Sequence, residues 1–390
     1  MQPHKHGLLA VDKKGNRVLF LNPDSFAVEQ ELNALPPRPH ELLMLPALEK
    51  AYVPIYGDGV HGDNPHPGHK VAIIDLRRRQ IRGFIDLSPL KAPHSGQLGR
   101  DGKVYLCCEH SAAVAVIDPH SDTLEKTIRL PSHNAHRLTL SPSGRKLFTE
   151  NEEDASITVV DLCEAEGRII DNILLPGPIA GIAASPKHPY LVASAADAPL
   201  LYVVDRQSHR IRQRITLPGH QQPCQVVRFS ASGERLVAIG DGEGVVTLFD
   251  DLLNPLGDVA VGNQPMDGCF SADNRSLLIA NQGDGSLSLI DLTQMKVIAT
   301  PQAGSGCEVL SYFQLSSGVR KPPSNKRPVI NRAAPVAAAG VFFCLPAALA
   351  QLARNQFVHN TVAHQQHRAL LRQGNQFVCR PLRALPGMLH

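Results

Sequence analysis

Seven times along this chain a short β-branched run ends at an Asp or Asn: VLFLN at Asn22, VAIID at Asp75, VAVID at Asp118, TVVD at Asp161, LYVVD at Asp205, VTLFD at Asp250 and LSLID at Asp291. Successive spacings are 53, 43, 43, 44, 45 and 41 residues. A period of about 40–45 residues is that of one four-stranded propeller blade, a unit that buries its apolar faces only on its neighbours. The side chain closing each run can accept backbone N–H groups two residues on, which begins a turn.

A second register supports the first. Ten residues before the closing Asp or Asn another apolar run ends: LLAVD at Asp12, YLCC at Cys108, LFTEN at Asn151, LVASA at Ala195, LVAIG at Gly240 and LLIAN at Asn281. Blade two keeps its run, YVPIY ending at Tyr56, but inserts nine residues before Asp75. Tight turns such as Gly283-Asp284-Gly285 separate the two runs, as a hairpin requires. An inner strand precedes each pair (HRLTLSPSG, GIAASPKH, QVVRFSASG, GCFSADN) and an outer strand follows (LEKTIRL, IRQRITL).

The expected fold is therefore all-β, a seven-bladed β-propeller over residues 7–313. An open sandwich of short strands competes, but seven copies at one period argue against it. The N-terminus supplies three strands (LLAVD, VLFLN, AVEQEL), and CEVLSYF at 307–313 supplies a lone inner strand. Together they would complete blade one and remove the open sheet edges.

These motifs resemble the YVTN-repeat propellers, including the YncE-like and lactonase-like groups. The resemblance rests on the LxxxN run followed by VxVID, and on SPSG-like turns, over about residues 7–313. It implies the fold. It leaves activity open, because such propellers include lactonases, haem-d1 domains and proteins without established chemistry.

Charge divides the chain. No Asp or Glu follows Glu308, so residues 1–308 carry a formal charge of −7 and the remainder +10. A nucleic-acid role for the propeller thereby loses its basic footprint. The lack of Trp disfavours a sugar-binding groove or a base-stacking surface. Residues 314–390 form a basic, acid-free tail outside the propeller, with three readings open: a disordered segment, a segment translated out of frame, or a membrane or nucleic-acid anchor. Residues 333–353 are uncharged and about long enough to span a bilayer, yet two Pro and much Ala weaken the signal, and membrane contact is not expected. Met1 to Gly15 has no apolar signal-peptide core, and the eight Cys form no CxxC pair. The expectation is reduced thiols and a cytoplasmic protein, although a chain that had lost an export signal would read the same.

Aligned on their turns, His40, His94 and His136 occupy one slot at the start of the inner strands of blades two, three and four, where later blades carry Ala180, Gln225 and Met266. The insertion in blade two adds His61, His66 and His69 with Asp58 and Asp63. Propeller connectivity opens both sets on one face. Glu109, Glu150 and Asn151, with Cys107 and Cys108, end or follow second strands at that rim. Six imidazoles there suggest a transition-metal site (Zn, Cu, Fe or Ni) with an open position for water. The competing reading has each His cap its own strand, and a third has His94 or His136 act with Glu150 in acid–base chemistry.

Three functions follow. The first is a YncE-like propeller that binds a small molecule or protein through its His-bearing channel rim, or serves as a scaffold, with His40, His94, His136, Glu109, Glu150 and Asn151 in contact. The second is the lactonase-like hydrolase that the resemblance implies. The third is a metal-dependent oxidoreductase using His40, His94 and His136. No GxSxG elbow, P-loop or dinucleotide-binding glycine pattern occurs.

Overall fold

The computed structural model describes residues 6–59, 63–164 and 166–316; residues 317–390 of the tail lie outside them. Seven four-stranded antiparallel sheets make up the described chain. Six are formed by consecutive strands. In blade one the inner strand Cys307–Gln314 pairs with His6–Asp12, followed outward by Arg17–Leu21 and Val28–Leu32. The pairing runs from His6 opposite Gln314 to Asp12 opposite Cys307, so the two ends of the propeller close one blade, as the sequence leads one to expect.

The second and third strands are buried on both faces, which explains their nearly continuous apolar runs. Side chains alternate along a strand. In blade one Leu9, Val11, Val18 and Phe20 pack against blade two, while Leu8, Ala10, Leu19 and Leu21 pack against blade seven. The same division repeats around the ring, giving seven apolar clusters, each shared by two adjacent blades. Burial between neighbours, at roughly 25 cal/mol per Å², is what holds such a ring together.

The closing Asp or Asn does what its chemistry predicts. Asn22 Oδ1 accepts the N–H of Asp24 and Ser25, Asp75 those of Arg77 and Arg78, and Asp205 those of Gln207 and Ser208. Asp118, Asp161, Asp250 and Asp291 accept from His120, Cys163, Leu252 and Thr293. Just beyond this turn, the register between third and outer strand shifts by one residue in all seven blades. A bulge there adds local twist. The six cysteines among the described residues are unpaired.

Candidate functional site

The site is built from one register position. The second residue of the inner strands is His94 in Pro93–Leu98, His136 in Ala135–Leu140, Ala180 in Ile179–Ala184 and Met266 in Pro265–Phe270. His40 stands just ahead of the short inner strand Leu43–Leu45. Its backbone N–H donates to Pro54 O at 2.9 Å, and Pro39 bridges Ile55, so it is held on the sheet although the regular strand begins later. In blade one the same position is Glu308, the second residue of Cys307–Gln314.

The three imidazoles meet. His94 Nε2 lies 2.9 Å from His136 Nε2 and in close contact with His40 Nε2. All three rings are buried. Their outer nitrogens face carboxylates. His40 Nδ1 lies 2.6 Å from Glu308 Oε2, and His136 Nδ1 lies 3.0 Å from Glu152 Oε2. At 3.8 Å, Glu41 Oε1 stands off His94 Nδ1 and Glu150 Oε1 stands off His136 Nδ1. A carboxylate beside Nδ1 favours the Nδ1–H tautomer and leaves Nε2 with its lone pair. At His40 and His136 both lone pairs then point at His94 Nε2.

The electrostatics fit a neutral His94 ring. Burial, then the neighbouring His136 and His40, push the His94 pKa well below the ordinary histidine value. Burial raises Glu308, but His40 and Lys13 outweigh it and hold the carboxyl at about 2; Lys13 Nζ is 3.0 Å from Glu308 Oε1. Burial, and next the charge of Glu152, push Glu150 well above the usual carboxylate range.

One to three residues beyond the slot, ionic side chains line a cavity. Arg137 Nη1 donates to Ala180 O at 2.6 Å and Gln225 O at 3.0 Å. Arg228 grips Asp267 through Nε and Nη2, and Glu41 lies 3.5 Å from Arg137 and 3.9 Å from Arg228. At Glu41 burial works upward on the pKa, and the two arginines outweigh it. The cavity among these residues is about 70 Å³, far below the roughly 300–1,000 Å³ of a small-molecule pocket.

The rim carries the insertion of blade two. The Tyr56 ring packs on His40 and His94 at centroid distances of 5.3 and 5.5 Å, and its hydroxyl donates to Glu109. Asn64 donates to Tyr56 O at 2.9 Å, so the insertion leaves the sheet beside the imidazoles. His66 and His69 are not in the imidazole cluster. His66 is exposed and pairs with Asp58 Oδ2 at 2.6 Å. His69 lies in the strand Pro67–Asp75, and His61 lies outside the described residues. Among the described residues, the groups of three or more His, Cys and carboxylate ligand atoms that lie within 4.8 Å of one another are those of His40, His94 and His136, and those of His136, Glu150 and Glu152. Asn151 turns inward: its Nδ2 donates to Ser156 Oγ and Thr158 Oγ1, as Asn281 does to Ser286 and Ser288. In these two blades the Asn of the LxxxN run locks the hairpin of its own blade.

Glu308, Glu41 and Glu152 are not among the residues that the sequence singles out. Glu308 is within reach of the same register, being the second residue of the lone strand CEVLSYF. Glu41 follows His40 directly, and Glu152 lies one residue past Asn151.

No known protein family matches the chain, and no curated protein resembles it in sequence. Solved structures do. The periplasmic gluconolactonase PpgL of Pseudomonas aeruginosa superposes with a TM-score of 0.66 at 18% identity, over 80% of this chain and 100% of that one. A functionally unknown protein of Desulfotomaculum acetoxidans gives 0.65 at 10% identity, over 80% and 100%. A chain of Kuenenia stuttgartiensis hydrazine synthase gives 0.60 at 17% identity, over 73% and 92%. At these identities the likeness is one of fold, and the fold shared is the propeller.

Proposed function

We propose that this propeller, of the YncE-like kind, holds a divalent transition metal on His40, His94 and His136 and binds a small ligand at the position the three imidazoles leave open. One observation carries the reading: Nε2 atoms from three blades crowd together, while the outer nitrogens of two of these rings face the carboxylates of Glu308 and Glu152. Lone pairs driven together in a buried site repel one another, and a cation converts that repulsion into ligation. Carboxylates behind metal-bound histidines fix the tautomer and raise ligand basicity. Neutral imidazoles suit Zn, Cu, Fe or Ni. With three protein ligands, the fourth position takes water or a substrate oxygen.

Cobalt tests this. Chelator-treated protein titrated with Co²⁺ should develop the intense visible bands of a four- or five-coordinate site, saturating with one equivalent. His94→Ala should abolish them. Octahedral, weakly absorbing Co²⁺ in the wild-type protein would overturn the reading.

A hydrolytic role is the second reading. A metal bound by three imidazoles lowers the pKa of its water towards about 7 and polarises a carbonyl, which suits the opening of a lactone. The printed activity of the Pseudomonas propeller makes lactones the first substrates to assay. The metal-dependent oxidoreductase remains the reading for a redox-active metal, and its identity decides between the two.

A further inference from the structure

His136 offers its two ring nitrogens to two different groups of ligands. Nε2 faces His94 at 2.9 Å. Nδ1 faces Glu152 Oε2 at 3.0 Å and Glu150 Oε1 at 3.8 Å. Glu150 is fully buried at the end of the strand Lys146–Asn151. Its Oε2 accepts the N–H of Arg137 at 2.9 Å, while its Oε1 has no hydrogen-bond partner and is aimed at the His136 ring. A buried carboxylate oxygen without a partner is costly. Glu152 is fixed through its backbone, its N–H donating to Asn134 O and its carbonyl accepting from Ile179.

We propose that Glu150, Glu152 and Nδ1 of His136 form a second metal site, in which the His136 ring bridges two divalent cations. The inference rests on the metal reading of the three-histidine site, since the bridge needs a first cation on Nε2. With one metal bound, Nδ1 keeps its proton and faces Glu152 Oε2. A second divalent cation replaces that proton, which passes to solvent, and the ring becomes an imidazolate bound at both nitrogens. No electron is transferred. Both carboxylates then face a cation, and the orphaned Oε1 of Glu150 gains its partner. Nitrogen with carboxylate oxygen suits Zn²⁺ or Cu²⁺.

Copper provides the test in full-length protein freed of metal by chelation. The wild type should bind two equivalents of Cu²⁺ and release protons as the second binds. The Glu150→Gln, Glu152→Gln double variant should bind one equivalent. The side-chain amide oxygen that Glu150→Gln introduces can still accept the Arg137 N–H, so that variant keeps the local backbone bond. In the two-copper protein the imidazolate couples the spins, and the doublet EPR signal should fall well below that of two isolated ions. The double variant should give the full signal of one. Two equivalents with uncoupled spectra, or a single equivalent in the wild type, would overturn the bridged pair while leaving the three-histidine site standing. Failure to bind any copper at the three-histidine site would sink both readings.

Discussion

His40 Nδ1 and Glu308 Oε2 stand 2.6 Å apart, joining positions 268 residues apart in the chain. Glu308 lies in the strand that closes the ring, and His40 lies in the next blade. The contact thus ties the strand that closes the ring to the first imidazole of the next blade.

Glu308→Gln removes the charge behind His40 and leaves Lys13 Nζ, now 3.0 Å from Glu308 Oε1, facing a neutral amide. Loss of such a supporting carboxylate typically lowers metal affinity about 10–100-fold. Competition against a chromophoric chelator should read a weakening in that range, with a melting curve run alongside. Unchanged affinity would show that Glu308 supports the blade and not the imidazole.

Phe313 is buried in the closing strand and meets Phe20 edge-on at 6.2 Å. Phe313→Ala should destabilise the propeller by about 3–5 kcal/mol. Deletion of 307–313 should go further, lowering the melting temperature and promoting association through the exposed edge of His6–Asp12. A melting curve indifferent to the deletion would contradict closure by that strand.

Acid should weaken the turns. Asp118, Asp161 and Asp205 have lowered pKa values, chiefly because they accept backbone N–H groups from His120, Cys163 and Ser208. A folded-state value below the unfolded one contributes stability above the unfolded value of about 4, lost as pH falls through the lowered folded value. Blade one makes the same turn with Asn22, so Asp→Asn at the three positions should fold. The triple variant's melting temperature should fall less than the wild type's between about pH 5 and pH 2. Parallel curves would mean that acid sensitivity arises elsewhere.

The fold was legible because the repeat is periodic and buried on both faces, so pattern and architecture carry the same information. The slot of His40, His94 and His136 was legible for the same reason. What lay outside the repeat was not. The insertion of blade two has no register to say where His66 points, and it pairs with Asp58 at the surface. Asn151 sits in register with the rim, but its amide finds Ser156 and Thr158 within the blade. Glu152 follows the strand by one residue, and only the turn conformation brings it to His136.

Metal content measured on protein purified without chelator or affinity-tag metal tests the central claim most directly. The wild type should carry at least one equivalent of zinc, copper, iron or nickel per chain. A His40→Ala, His94→Ala double variant should carry one equivalent less or none, while its far-ultraviolet circular dichroism stays that of the β-propeller. Wild-type protein that carries no metal, and takes up none when dialysed against micromolar concentrations of these ions, would contradict the account.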